Sequence, residues 1–265
     1  MKPRARFVIA ALAVSATAAT LVPSRLDGLT SSRWGTATPV ASRPGGTATL
    51  VDVRVTTAAD DSVPAQQAQQ DALRSPGRRR LTAGCTNPGT GTSAYSLSGN
   101  RVSGATTAHL NPSGAVVGSA ASVVQAAFNA WKAADPNAPT ITVASDGTAT
   151  SPSSNHRDEI MFKPLGRRTL GITYTWHWST GEYESDIAFN TAVPWFQAAS
   201  EGSGCYAGVN AYDFQSAATH EIGHLYGLDH VPALYNTMYY AITKGETYKR
   251  SPAVGDALGL HALYG

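Results

Sequence analysis

The chain has 265 residues, of which 42% are hydrophobic and 14% charged, with a formal net charge of +2. That length allows one sizeable folded domain plus extra segments, and the composition excludes disorder along the whole chain. Up to Arg80 there are 11 Lys and Arg against 5 Asp and Glu, and from Leu81 onward 9 against 13; the basic surplus sits in the leader, which argues against a nucleic-acid partner.

Residues 1–19 read as a signal peptide. Lys2, Arg4 and Arg6 form a basic start, Phe7 to Ala19 an apolar run, and Ala16-Thr17-Ala18 a small-residue cleavage site. The run is short for a membrane span, and no other stretch is long and apolar enough to cross a bilayer. The expectation is a secreted, extracellular protein; an uncleaved anchor is the competing reading. Residues 20–81 are rich in Ala, Thr, Ser, Gln and Arg, with Trp34 the only aromatic. They read as a weakly structured pro-region or low-complexity linker. Arg78-Arg79-Arg80 is either a processing point or a solvated basic run.

Residues 82–265 have the composition of a folded domain. Tyr95 to Leu97 and Thr106 to Leu110 are strand candidates between Gly, Ser and Asn turns. Ser119 to Ala134 predicts a helix, with Val123, Val124, Ala127, Phe128 and Trp131 as a core-facing stripe, ended by Asp135-Pro136. Thr140 to Val143, Glu159 to Phe162, Leu170 to Trp178 and Asp186 to Phe189 follow as strands. Asp213 reads as the N-cap of a helix from Phe214 to Tyr226, stopped at Gly227. Ser251-Pro252 opens a last helix running to Tyr264. The order predicts an α+β domain with one mixed sheet.

The stretch His220-Glu221-Ile222-Gly223-His224-Leu225-Tyr226-Gly227-Leu228-Asp229-His230 carries the chemistry. Two histidines four apart lie on one helix face and can share a metal ion, while Glu221 turns toward the side where a metal-bound water would stand. Glycine at 227 tolerates the left-handed turn that brings His230 in from another direction. Three ligands leave a fourth position for water, which zinc acidifies toward a pKa of about 7. The reading is one catalytic zinc on His220, His224 and His230, with Glu221 as general base.

This stretch resembles the zinc signature of the metzincin metallopeptidases, and Asn236-Thr237-Met238-Tyr239 is similar to their methionine turn, a structural floor beneath the metal. The likeness is closest to the matrixin branch, in a form like its secreted bacterial members. It extends to Asp213–Thr219 before the signature, to the segments Leu170–Tyr174 and Asp186–Phe189, and to Asp256–Gly265 at the end. The resemblance covers roughly residues 90 to 265. It implies a mixed, mostly parallel twisted sheet, an active-site helix and a C-terminal helix, and a peptide substrate held extended along an edge strand, Leu170 to Trp176. A side-chain pocket would lie between Val231 and Ile242.

Departures from the pattern matter. Val231 follows the third histidine where better-known matrixins have serine. Tyr239-Tyr240 stands where they have Tyr-Pro, and a tyrosine two places after the methionine is more like astacins and serralysins; Tyr240 is therefore a candidate transition-state donor or a packing residue. The loop from Lys163 to Thr169 is too short for the family's structural-zinc loop, which leaves His156 and His177 as surface residues. Calcium near Asp186 would rest on one acidic residue, a weak signal. Cys85 lacks the Arg-Cys-Gly context of the matrixin cysteine switch. With two cysteines in an exported chain, a Cys85–Cys205 disulfide is the favoured reading over a zinc-bound Cys85 thiolate.

The function these readings support is a secreted zinc endopeptidase, acting as a monomer. Two alternatives stand beside it: a zinc hydrolase for a non-protein amide or ester, and a non-catalytic binding module with a vestigial site.

Overall fold

The computed structural model describes residues 46–59, 91–201, 206 and 209–265. The signal sequence, Arg78–Arg80, Cys85 and Cys205 lie outside the described residues. Among the described residues no helix is long and apolar enough to cross a membrane.

One seven-stranded sheet organises the domain. Its strands are β1 (Ala48–Ala58), β2 (Thr106–Leu110), β3 (Ile141–Ala144), β4 (Asp158–Lys163), β5 (Thr169–Trp178), β6 (Tyr183–Asn190) and β9 (Ala241–Ile242), in the order β3-β2-β4-β6-β5-β1-β9. Neighbours run parallel except at β5–β6 and β1–β5. Two short strands, β7 (Trp195–Phe196) and β8 (Tyr212–Asp213), pair separately. The mixed, mostly parallel sheet expected from the sequence is present. Strands β4 and β6 are buried along most of their length, as parallel strands covered on both faces must be.

Helix α1 (Ala120–Ala134) begins one residue later than the sequence suggests. It buries Val123, Val124, Ala127, Phe128 and Trp131, the stripe read at helical spacing; each large apolar side chain so buried contributes about 1.5–3 kcal/mol. Helix α2 (Phe214–Tyr226) packs against it, and Trp131 Nε1 donates to the Thr219 carbonyl at 2.8 Å. Helix α3 (Val254–Tyr264) starts two to three residues beyond the expected Ser251-Pro252. Its start is set by Asp256, whose Oδ2 accepts from the Ala253 amide at 2.9 Å, a cap that Ser251 does not supply. Tyr95 to Leu97 is not a strand; Leu97 makes only an isolated antiparallel bridge to Leu228.

Two expectations about the N-terminal part need correction. Residues 48–58, inside the segment read as weakly structured, form the eleven-residue strand β1. And β5, expected as an open edge, is covered: β1 lies along it and β9 lies beyond β1. The alternation Val51, Val53, Val55 is that of a strand, but Leu50, Val51 and Val53 remain 40–50% exposed. Backbone pairing to β5, and not core burial, is what holds this segment extended.

Candidate metal centre

Helix α2 is fixed at both ends. Asp213 accepts from the Ser216 amide at 3.0 Å and caps the start. The same carboxylate takes the buried Arg250 guanidinium in a two-pronged pair, Nε to Oδ2 at 2.7 Å and Nη2 to Oδ1 at 2.5 Å. At the other end Gly227 is left-handed, φ 108°, with its amide bonded back to the helix. A side chain there would also run into the Asn100 carbonyl; both the turn and the close approach require glycine. Asn100 in turn donates to the His224 carbonyl at 3.2 Å.

The turn delivers His230 to the helix face carrying His220 and His224. The three Nε2 atoms stand 3.0–3.1 Å apart. His220 Nδ1 is 2.6 Å from the Thr237 carbonyl, and His224 Nδ1 is 2.8 Å from the Leu228 carbonyl. A carbonyl can only accept, so both Nδ1 atoms carry the proton and both Nε2 atoms present lone pairs. Lone pairs converging at that spacing repel one another unless a cation lies among them. All-nitrogen ligation of this kind, with each imidazole oriented by a backbone carbonyl, fits zinc. Burial holds the His220 and His224 rings well below the usual imidazole range. Burial likewise pushes His230 down to about 4, with Asp229 opposing. Neutral rings are the ligating form. Among the described residues this is the only cluster of three or more His, Cys, Asp or Glu side chains placed to hold a metal.

Glu221 is fully buried one residue along the helix. Its Oε2 accepts from Thr173 Oγ1 at 2.6 Å. Burial pushes its carboxyl up to about 7, against the hydrogen bond from Thr173 and the nearby hydroxyl and amide of Thr56 on β1. Glu221 Oε1 and Thr56 Oγ1 each have no hydrogen-bond partner in the protein. The carboxyl is thus half-satisfied, with one oxygen free for another donor.

Met238 is buried against Gly223 of α2, the residue before His224. Asp256 on α3 pins the turn that carries it: Oδ2 accepts from the Thr237 amide at 2.7 Å and Oδ1 from the Met238 amide at 3.3 Å. Asp256, Thr237 and His220 therefore form one chain of contacts from α3 to the centre. Tyr240 is 47% exposed, its ring centroid 6.4 Å from that of His230, and its hydroxyl accepts from Tyr239 at 3.2 Å.

Other expected residues stand apart. His156 stacks on Trp178, its ring centroid 3.5 Å away, and pairs with Glu182; His177 stacks on Tyr183. Asp186, the calcium candidate, accepts from the Ser153 and Glu159 amides at 2.8 and 3.0 Å. Burial, helped by Glu184 and Glu159, raises it to about 8.

The sequence did not reveal Thr173, Thr56, Asn100 or the pinning role of Asp256. Only Asp256 left a signal, as an acidic residue three places into a helix. The others reach the centre from strands and loops distant along the chain.

A family model described as Matrixin, a peptidase family, matches residues 115–265. No curated protein matches the chain. Among solved structures, the crystal structure of metalloproteinase-II from Bacteroides fragilis is similar at 14% identity and a TM-score of 0.33. That match covers 67% of this chain and 58% of that one, so the chain spans under two thirds of its length.

Proposed function

The chain belongs to the matrixin family of zinc metallopeptidases, and from that premise we propose that it is a secreted endopeptidase with His220, His224 and His230 as zinc ligands and Glu221 as general base. The observation that carries the reading is the convergence of three Nε2 atoms at 3.0–3.1 Å, with two of the rings oriented by backbone carbonyls.

Zinc at this site supplies a Lewis acid that lowers the pKa of water and polarises a carbonyl oxygen. The protein does the rest. Glu221 takes a proton from the attacking water and returns it to the leaving amine, while Thr173 holds one carboxylate oxygen and the other has no partner in the protein. A carboxyl raised to about 7 is matched to both halves of that exchange near neutral pH. Tyr240, next to His230, offers its hydroxyl to the developing oxyanion. A peptide would bind extended against β5 by backbone hydrogen bonds. Maturation between about Ser75 and Cys85 and a Cys85–Cys205 disulfide complete the proposal.

Two variants test it. Glu221→Ala should keep zinc near one equivalent and lose turnover by roughly 10²- to 10⁴-fold. His224→Ala should lose zinc and activity together. Near-normal turnover in Glu221→Ala would overturn the base assignment, and casein digestion that survives a chelator would overturn the zinc mechanism.

A further inference from the structure

Two residues of β5 shape the surroundings of Glu221. Gly171 and Thr173 are two apart on a strand and so lie on one face of it, and the glutamate side chain reaches both. Thr173 and Glu221 are buried. On the far side, β6 fixes the backbone of the pair through Gly171↔Phe189 and Thr173↔Ile187.

Thr173 meets Glu221 twice. Its Oγ1 is 2.6 Å from Oε2 and 3.1 Å from the main-chain carbonyl oxygen of the same residue. One hydroxyl is therefore within reach of both the root and the tip of a single side chain. A β-branched residue has few χ1 states, so the strand, and not the glutamate, sets where Oγ1 stands. The last torsion of a glutamate is broad and roughly two-fold, which by itself would leave its two oxygens interchangeable. The hydroxyl makes them different: Oε2 is held, and Oε1 has no partner in the protein.

Gly171 supplies the other side. A methyl group there would stand 2.5 Å from Oε1 and 2.8 Å from both Cδ and Cγ of Glu221. Because Cγ is met as well as the tip, a turn of the carboxyl alone would not relieve the overlap. Bare glycine backbone is what leaves room for the unheld oxygen. Thr175, the next residue on this face and also buried, has its hydroxyl on Ser185 Oγ at 3.0 Å instead.

We infer that Gly171 and Thr173 form a cradle that gives the two oxygens of Glu221 separate duties: Oε2 is the anchor, and Oε1 takes the proton from water and passes it to the leaving amine. Thr173 is a positioning residue, and its own proton stays on Oγ1 throughout. The inference rests on the reading of Glu221 as the general base.

The test compares three variants of the full chain. Thr173→Val keeps the shape and removes the hydroxyl, Thr173→Ser keeps the hydroxyl, and Thr175→Val removes a buried hydroxyl from the same face without touching Glu221. With zinc bound, Thr173→Val should lose turnover by roughly 10- to 100-fold, the loss of a hydrogen bond to a charged group expressed as a rate. KM should stay within about twofold, since the base acts in the transition state and not in substrate binding. Thr173→Ser should recover most of the loss, and Thr175→Val should turn over like the parent. Gly171→Ala should slow with Thr173→Val while still holding zinc. Parent-like turnover in Thr173→Val or Gly171→Ala, or equal losses in Thr173→Val and Thr175→Val, would overturn the inference. A second measurement needs neither zinc nor substrate. In thermal melts with chelator, Thr173→Val and Glu221→Ala should combine to less than the sum of their separate shifts, as residues in contact do, whereas Thr175→Val and Glu221→Ala should add. Additive shifts for both pairs would also overturn it. No hydrolysis of any peptide by the parent, intact or cut after Arg80, would sink the endopeptidase reading alone, and the melts would still decide the cradle.

Discussion

Gly223 rests against Met238: a methyl group added at Gly223 would overlap the methionine sulfur and stand 2.7 Å from Cζ2 of Trp131. Both neighbours are buried, and the Trp131 ring is tethered to Thr219 through its N–H. The helix that carries two ligands therefore lies directly on the turn beneath it, with no room for a side chain between them.

Gly223→Ala should accordingly destabilise the protein by about 1–3 kcal/mol, the usual cost of overpacking a filled core. It should also weaken zinc, because α2 can yield only by moving His220 and His224. Met238→Ala in the same chain should recover part of the loss, a non-additivity expected of residues in contact. Thermal melts of both single variants and the double variant measure this, and strictly additive losses would disprove the contact.

Asp256 offers a second test, since it supports the centre without touching it. Asp256→Ala removes the acceptor for the Thr237 and Met238 amides, and Thr237 orients His220. Zinc affinity should fall by roughly 10- to 100-fold, as for other outer partners of a metal ligand. Turnover at saturating zinc should return most of the way, which a direct role in the chemistry would not allow. Competition with a chromogenic chelator gives the affinity, and an unchanged value would show that the turn holds without Asp256.

The elevated pKa of Glu221 makes a prediction about stability with a definite sign. Its folded value, about 7, exceeds its ordinary value of 4.5. The folded chain thus binds this proton more tightly than the unfolded chain. The resulting stability is fully present below about 4.5 and is lost as pH rises through about 7. Glu221→Gln cannot titrate. Measured with chelator in both proteins, the stability of Glu221→Gln relative to the parent should grow by about 3 kcal/mol between pH 4.5 and 7.5. The histidines are common to both and cancel. A flat difference across that range would mean the carboxyl is not buried in solution.

Much of the site was legible because it is local. His220 and His224 share a helix face by periodicity, Asp213 and Gly227 carry the chemistry of helix start and stop, and His230 follows within three residues of that stop. Strand β1 was not legible for a physical reason. It contributes little to the core, so its apolar alternation is diluted by Thr and Ala in a segment of biased composition. The two-residue strands β7, β8 and β9 are too short to carry a period. Thr173 lies 48 residues from Glu221, and its hydroxyl looks in sequence like any strand threonine. That pairing exists only once β5 passes over α2.

The three histidines lie between residues 220 and 230, yet the turn that orients His220 is pinned from beyond them by Asp256. A chain that emerges N-terminus first therefore carries all three histidines before it can hold them in place, and the metal centre closes only after residue 256 has joined the fold.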